Sequence, residues 1–170
     1  MSKLKSIVAA AAIVLALPVI AGASLRIGNQ AESLDSRAFP NLTQIYVASG
    51  VRDDGGASET GVATVIHCTN FTAAQQQLRI LIRNWDNAVV TNNALAIPSL
   101  NTVTLATHNT NAFSEIPLTN ATTISQGSLR IFATAPQITC TAMVIDASTV
   151  APIGTNLHLV RHNAWANTQE

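Results

Sequence analysis

From residue 42 onward the chain alternates short runs dense in β-branched and apolar residues with polar clusters rich in Gly, Asn and Asp. The clusters are "RDDGGASE" at 52–59, "NWDN" at 84–87, "TNN" at 91–93, "HNTNAF" at 108–113, "TAPQ" at 134–137 and "APIGTN" at 151–156. Runs of this kind between turn signals predict strands over 42–51, 60–69, 77–84, 87–91, 100–107, 128–134, 138–146 and 157–162. Alternation is cleanest in "QLRILIRN", where Leu78, Ile80 and Ile82 share one face and Arg79, Leu81 and Arg83 the other. The first face is expected in a core and the second in water. A short helical turn is expected at "NFTAAQQQ", with Asn70 or Thr72 as its cap. The fold predicted is all-β: an antiparallel sandwich of about seven to nine strands.

The first residues are patterned differently. Lys3 and Lys5 precede a fifteen-residue apolar run, "IVAAAAIVLALPVIA", and Ala21-Gly22-Ala23 closes it with small residues. A basic start, an apolar stretch too short to span a bilayer and an A-x-A site are the marks of a cleaved secretory signal over residues 1–23. Removing 23 residues from 170 leaves 147, the size of one domain, 24–170. The expected location is periplasmic or secreted, with no membrane span after cleavage.

Both lysines leave with the signal, so seven scattered arginines face nine acids, a formal charge of −2. Nucleic-acid binding needs clustered positive charge, which this chain lacks. Cys68 and Cys140 are the only cysteines. In an oxidising compartment two such residues pair with each other, and closing a loop of about 70 residues stabilises by about 4 kcal/mol in the chain-entropy model. A catalytic thiol is disfavoured because His67, though adjacent to Cys68, points to the opposite side of a strand. A zinc site would want paired ligands such as C-x-x-C.

Other chemistry is thin. His158 and His162 stand four apart in what reads as a strand, about 13 Å from each other, too far for one metal ion. His67 and His108 read as half-buried strand residues. Asp53, Asp54 and Glu59 flank Gly55-Gly56, a combination that favours a solvated turn over a calcium loop. No nucleophile motif surrounds Ser128. No catalytic residue, metal ligand or cofactor site is therefore predicted. Three N-x-T sequons, at Asn41, Asn70 and Asn120, are expected by chance in so Asn- and Thr-rich a chain.

Strand parity carries one functional expectation. With Cys68 and Cys140 pointing into the sandwich, Val62, Thr64 and Ile66 point in with the first and Ile138, Ala142 and Val144 with the second. Ala63, Val65 and His67, with Thr139, Thr141, Met143 and Ile145, then point out. That face is too apolar for open solvent, so Val65, His67, Met143 and Ile145 are the candidate interface. Its expected cover is residues 24–40, the tail around Trp165, a second copy or an envelope protein.

The order Cys68, Trp85, Cys140 resembles the Cys-Trp-Cys arrangement of immunoglobulin-like sandwiches, with Ile138 in place of their corner tyrosine. More of the chain, "HCTNFTAAQQQLRILIRN", "GSLRIFATAPQITCTAMVIDA" and "LHLVRHN", resembles small exported bacterial β-sandwich proteins of unassigned function. That resemblance implies a fold and an export route and transfers no catalytic residue. Fimbrial or pilin-type subunits are similar in length, export and single disulfide, but their terminal strand ends near an aromatic residue, where this chain ends "HNAWANTQE". The function expected is an exported, non-catalytic structural or binding module. The alternatives are a subunit of a surface assembly and a hydrolase-type enzyme without a recognisable motif.

Overall fold

The computed structural model describes residues 41–56, 58–119 and 122–162. The signal segment, residues 24–40 as a cover and the tail around Trp165 lie outside them. Among the described residues there are ten strands and no helix: β1 (Thr43–Asp53), β2 (Val62–Asn70), β3 (Gln76–Arg83), β4 (Val89–Ile97), β5 (Thr102–Ala106), β6 (Ile116–Pro117), β7 (Ile124–Ala133), β8 (Ile138–Asp146), β9 (Gly154–Leu157) and β10 (Val160–Arg161). They form two five-stranded sheets, β10-β1-β7-β3-β4 and β6-β5-β2-β8-β9. Every pairing is antiparallel except the two-residue β5–β6 pair.

Between the sheets lies one apolar cluster. The first sheet supplies Ile45, Val51, Leu78, Ile80, Ile82, Leu129 and Ile131, and the second supplies Ile66, Leu105, Ile138, Ala142 and the two cysteines. Removing any one Ile or Leu there costs about 2–5 kcal/mol, because the cavity left behind cannot fully collapse. Cys68 and Cys140 are bonded to each other, and they are register partners on the neighbouring strands β2 and β8. The staple therefore lies within one sheet and faces the core. Trp85, which stands 71% exposed beyond β3, does not bury against it.

Four expectations change. The face of β3 expected to be wet is closed at Arg79 and Leu81, 1% and 2% exposed. Arg79 Nε donates to Asn92 Oδ1 at 2.6 Å, and its guanidinium carbon lies 5.5 Å from the Phe132 ring centroid, so the arginine lies along the sheet with its head paired. The "TNN" turn is the interior of β4 instead: Thr91 Oγ1 donates to Leu118 O at 2.9 Å, which satisfies a polar group where a turn was expected. At "NFTAAQQQ" no helical turn forms. Asn70, fully buried, donates from its amide to Ala74, Ile97 and Pro98 carbonyls and accepts from Thr72 N and Oγ1, and so ties residues 71–74 to the end of β4. That burial also closes the sequon at Asn70. The expected strand 157–162 divides, its first residue ending β9 in one sheet while β10 joins the other, which separates His158 from His162 by a crossing between layers.

Candidate functional site

The outer face of the second sheet follows the expected parity and is covered in an unexpected way. In the ladder, Val65 pairs with Ala106 and Met143, Ala63 with Ile145, and His67 with Thr104 and Thr141. Val65 and Ile145 are nevertheless 0% and 2% exposed, because Ala112 and Phe113 from the β5–β6 connection pack over them together with Met143 and Ala106. The expectation that Val65 and Ile145 offer an open interface is corrected: the chain encloses them with its own residues. His67 and Met143 are half-buried at the margin of this cover. The His67 ring meets Phe113 edge-on with centroids 4.7 Å apart, and its Nδ1 lies 3.0 Å from Thr104 Oγ1. Burial there holds the imidazole below its ordinary pKa of 6.5, because the charged form loses water.

The covering segment is held by a buried clamp. His108, 5% exposed, places Nδ1 2.8 Å from Asp53 Oδ2 and Nε2 2.9 Å from Thr60 O. Asp53 Oδ1 accepts from Gly55 N at 2.7 Å. This assigns Asp53 to structure: its carboxylate joins the end of β1, the 54–61 turn and the start of the cover. Asp54 Oδ1 accepts from Gly56 N within the same turn. Among the described residues no group of three His, Cys, Asp or Glu side chains is placed to hold a metal ion. His158 and His162 are exposed.

A different region gathers unpaired polar groups, at one end of the outer face of the first sheet. The β1–β7 ladder runs Ser49↔Ser128, Val51↔Gly127, Asp53↔Ile124. One residue is thus inserted on β1, Gly50, whose φ of 90° suits glycine, and then one on β7, among Ser125 and Gln126. Gly127 sits where the strands close up again. A Cβ there would stand 2.6 Å from Ile124 Cγ2 and 3.0 Å from Val51 Cβ. The paired bulges splay the strands into an open groove of about 590 Å³ lined by Ser49, Gly50, Arg52, Ser125, Gln126 and Gly127.

Beside it a second hollow of about 300 Å³ shares Ser49, Gln126 and Gly127 and extends to Ser128, Arg83 and Trp85. The β3–β4 turn builds its wall. Asn87 N donates to Asn84 O and Asn84 N to Ala88 O, Asn87 takes a φ of 68°, and Arg83 Nη1 donates to Asn87 O at 2.9 Å. A closed turn of this kind leaves Trp85 at its outer corner, with the indole 71% exposed. Ser49, Ser128 and Arg83 are register partners on three successive strands and form one row across the groove. The sequence placed Trp85 in a turn and Ser128 after a glycine. No groove was expected there; the signal that could have found it is Gly50 and Gly127, isolated glycines in strand-like surroundings, which favour bulges. Comparison with known proteins finds no matching family model, no matching curated protein and no matching solved structure.

Proposed function

We propose that this chain is an exported, non-catalytic β-sandwich module that binds a ligand at the cell envelope or outside the cell, through the groove between the β1–β7 bulges and the β3–β4 turn. The observation that carries this is the groove itself: an exposed indole beside a row of polar side chains, held open by two successive bulges in the β1–β7 ladder. Binding sites are concave, with a few convergent polar groups on rigid elements, and bulges commonly re-aim side chains beside such sites. The disulfide fits an oxidising compartment, in keeping with a signal over residues 1–23. With Val65 and Ile145 enclosed, the apolar face no longer supplies the docking surface, and the reading as a self-contained module gains over that of an assembly subunit.

The test joins location to binding. The full chain is produced in a bacterium and fractionated. The exported protein should begin at Ser24 and weigh two hydrogens less than the reduced chain. Immobilised, it should retain envelope material that the Trp85→Ala, Gln126→Ala double variant releases. Unprocessed protein confined to the cytoplasm, or equal retention by the variant, overturns the proposal.

A further inference from the structure

We infer that the groove takes an acidic carbohydrate, an oligosaccharide bearing uronate carboxylates; this rests on the binding role proposed above. Its lining holds two arginines, Arg52 and Arg83, and no acid. Arg52 is exposed and its guanidinium makes no ion pair or hydrogen bond among the described residues, while Arg83 spends one nitrogen on the Asn87 carbonyl. The acid nearest Arg83 in sequence, Asp86, turns its Oδ1 to Ala88 N within the turn, and of the two that follow Arg52, Asp53 is buried against His108 and Gly55 N while Asp54 accepts from Gly56 N. An unneutralised guanidinium is a planar fork that matches a carboxylate, and a pair of them with no acid between gives the groove the sign of an anion site.

The rest of the lining argues for a sugar over other anions. Ser49, Ser125, Gln126 and Ser128 are exposed, and their side chains make no hydrogen bond among the described residues. Hydroxyls and amides that both donate and accept are the complement of sugar hydroxyls. Trp85, 71% exposed, offers a flat apolar face for the C–H side of a pyranose ring, with a polar N–H at its edge. Neighbouring strands lie about 4.8 Å apart, so the row Ser49, Ser128, Arg83 spans about 10 Å, room for two sugar rings. The groove is open at its surface, which suits a length of chain and not an enclosed small molecule.

The exported disulfide-bonded protein is titrated calorimetrically with hexasaccharides of galacturonate, mannuronate and hyaluronan, against cellohexaose, a sulfated hexasaccharide and hexaglutamate. The expected result is saturable binding of at least one uronate that weakens with added salt, with cellohexaose, the sulfated sugar and hexaglutamate each at least tenfold weaker. Arg52→Gln and Trp85→Ala should each weaken it at least tenfold while leaving the unfolding midpoint within the range of other surface changes. Failure of all three uronates at millimolar concentration overturns the inference, as does equal binding of the neutral sugar, the sulfated sugar or the peptide. Should the uronates fail while envelope retention still depends on Trp85 and Gln126, the ligand class is wrong and the binding role stands. Loss of both removes the two together.

Discussion

Cys68 and Cys140 are paired residues of the β2–β8 ladder, with Cα atoms 4.2 Å apart, and their sulfurs bridge the strands on the core side of the sheet. The separation is that of directly opposed residues whose side chains come close. The bridge fastens together two strands 72 residues apart in sequence, and the ladder runs two more pairs beyond it to Asn70 and six on the other side to Val62. It therefore fixes the register as well as the topology. Replacing Cys140 by Ser should lower stability by about 2–5 kcal/mol in chemical denaturation, and reduction of the wild type should do the same. Unchanged stability on reduction would show that the ladder alone holds the two strands.

The Asp53–His108 contact joins segments 55 residues apart, with both side chains withdrawn from water. Truncating His108 to Ala leaves Asp53 buried with one hydrogen bond fewer and removes the ring's contact with the Thr60 carbonyl. The expected cost is at least about 2 kcal/mol, because a buried polar group left without its partner bears its full desolvation. A double-mutant cycle with Asp53→Asn should return a favourable coupling between the two, and hydrogen exchange at residues 107–111 should accelerate in the His108 variant. Additive single effects would reduce the pair to a coincidence of packing.

Phe113 covers Val65 and Ile145 while itself half-buried. Phe113→Ala should cost about 1–2 kcal/mol, in proportion to the area it hides, and leave a folded domain with an apolar opening. That variant should bind a hydrophobic dye and scatter light as a larger species. Val65→Glu, by contrast, places an unpaired charge at a fully buried position and should prevent folding. A soluble, monomeric Val65→Glu protein would show that the cover moves aside easily.

These contacts mark where the chain is legible and where it is not. Strand positions and the inward side of both cysteines follow from a period of two, which the β-branched runs of β2, β7 and β8 state openly. The cover over Val65 has no such signal. "HNTNAFSE" is polar and aperiodic, and Phe113 is buried only because β5 brings it back across β2. Asp53 and His108 each stand in a turn-like cluster and meet only through tertiary structure. Arg79 misled the pattern because an arginine can lie flat on a sheet with its head paired, so its place in the alternation says polar while its stem behaves as apolar. The groove was not among the expectations: isolated glycines such as Gly50 and Gly127 favour bulges, but which side chains the bulges bring into one row depends on the β1–β7 register.

His67 supplies a dependence on pH. Its ladder neighbours Thr104 and Thr141 are uncharged, as are the diagonal residues Thr102, Ala106, Thr139 and Met143, and Phe113 lies against its ring. Nothing in that ladder offsets the cost of a charged imidazole, and burial lowers its pKa from 6.5. The neutral form is thus the one the fold favours. Above pH 6.5 folded and unfolded chains both carry a neutral ring, and the stability is fully present. As pH falls below that value the unfolded chain takes up the proton first, so stability declines until the folded protein is protonated as well, and then levels. His67→Gln keeps a hydrogen-bonding side chain of similar reach towards Thr104 and cannot titrate. Denaturation midpoints of the two proteins from pH 8 to pH 5 should therefore differ by an amount that is constant above 6.5 and shifts against the wild type below it. A difference that stays level across the whole range would place the ring in water and detach Phe113 from it.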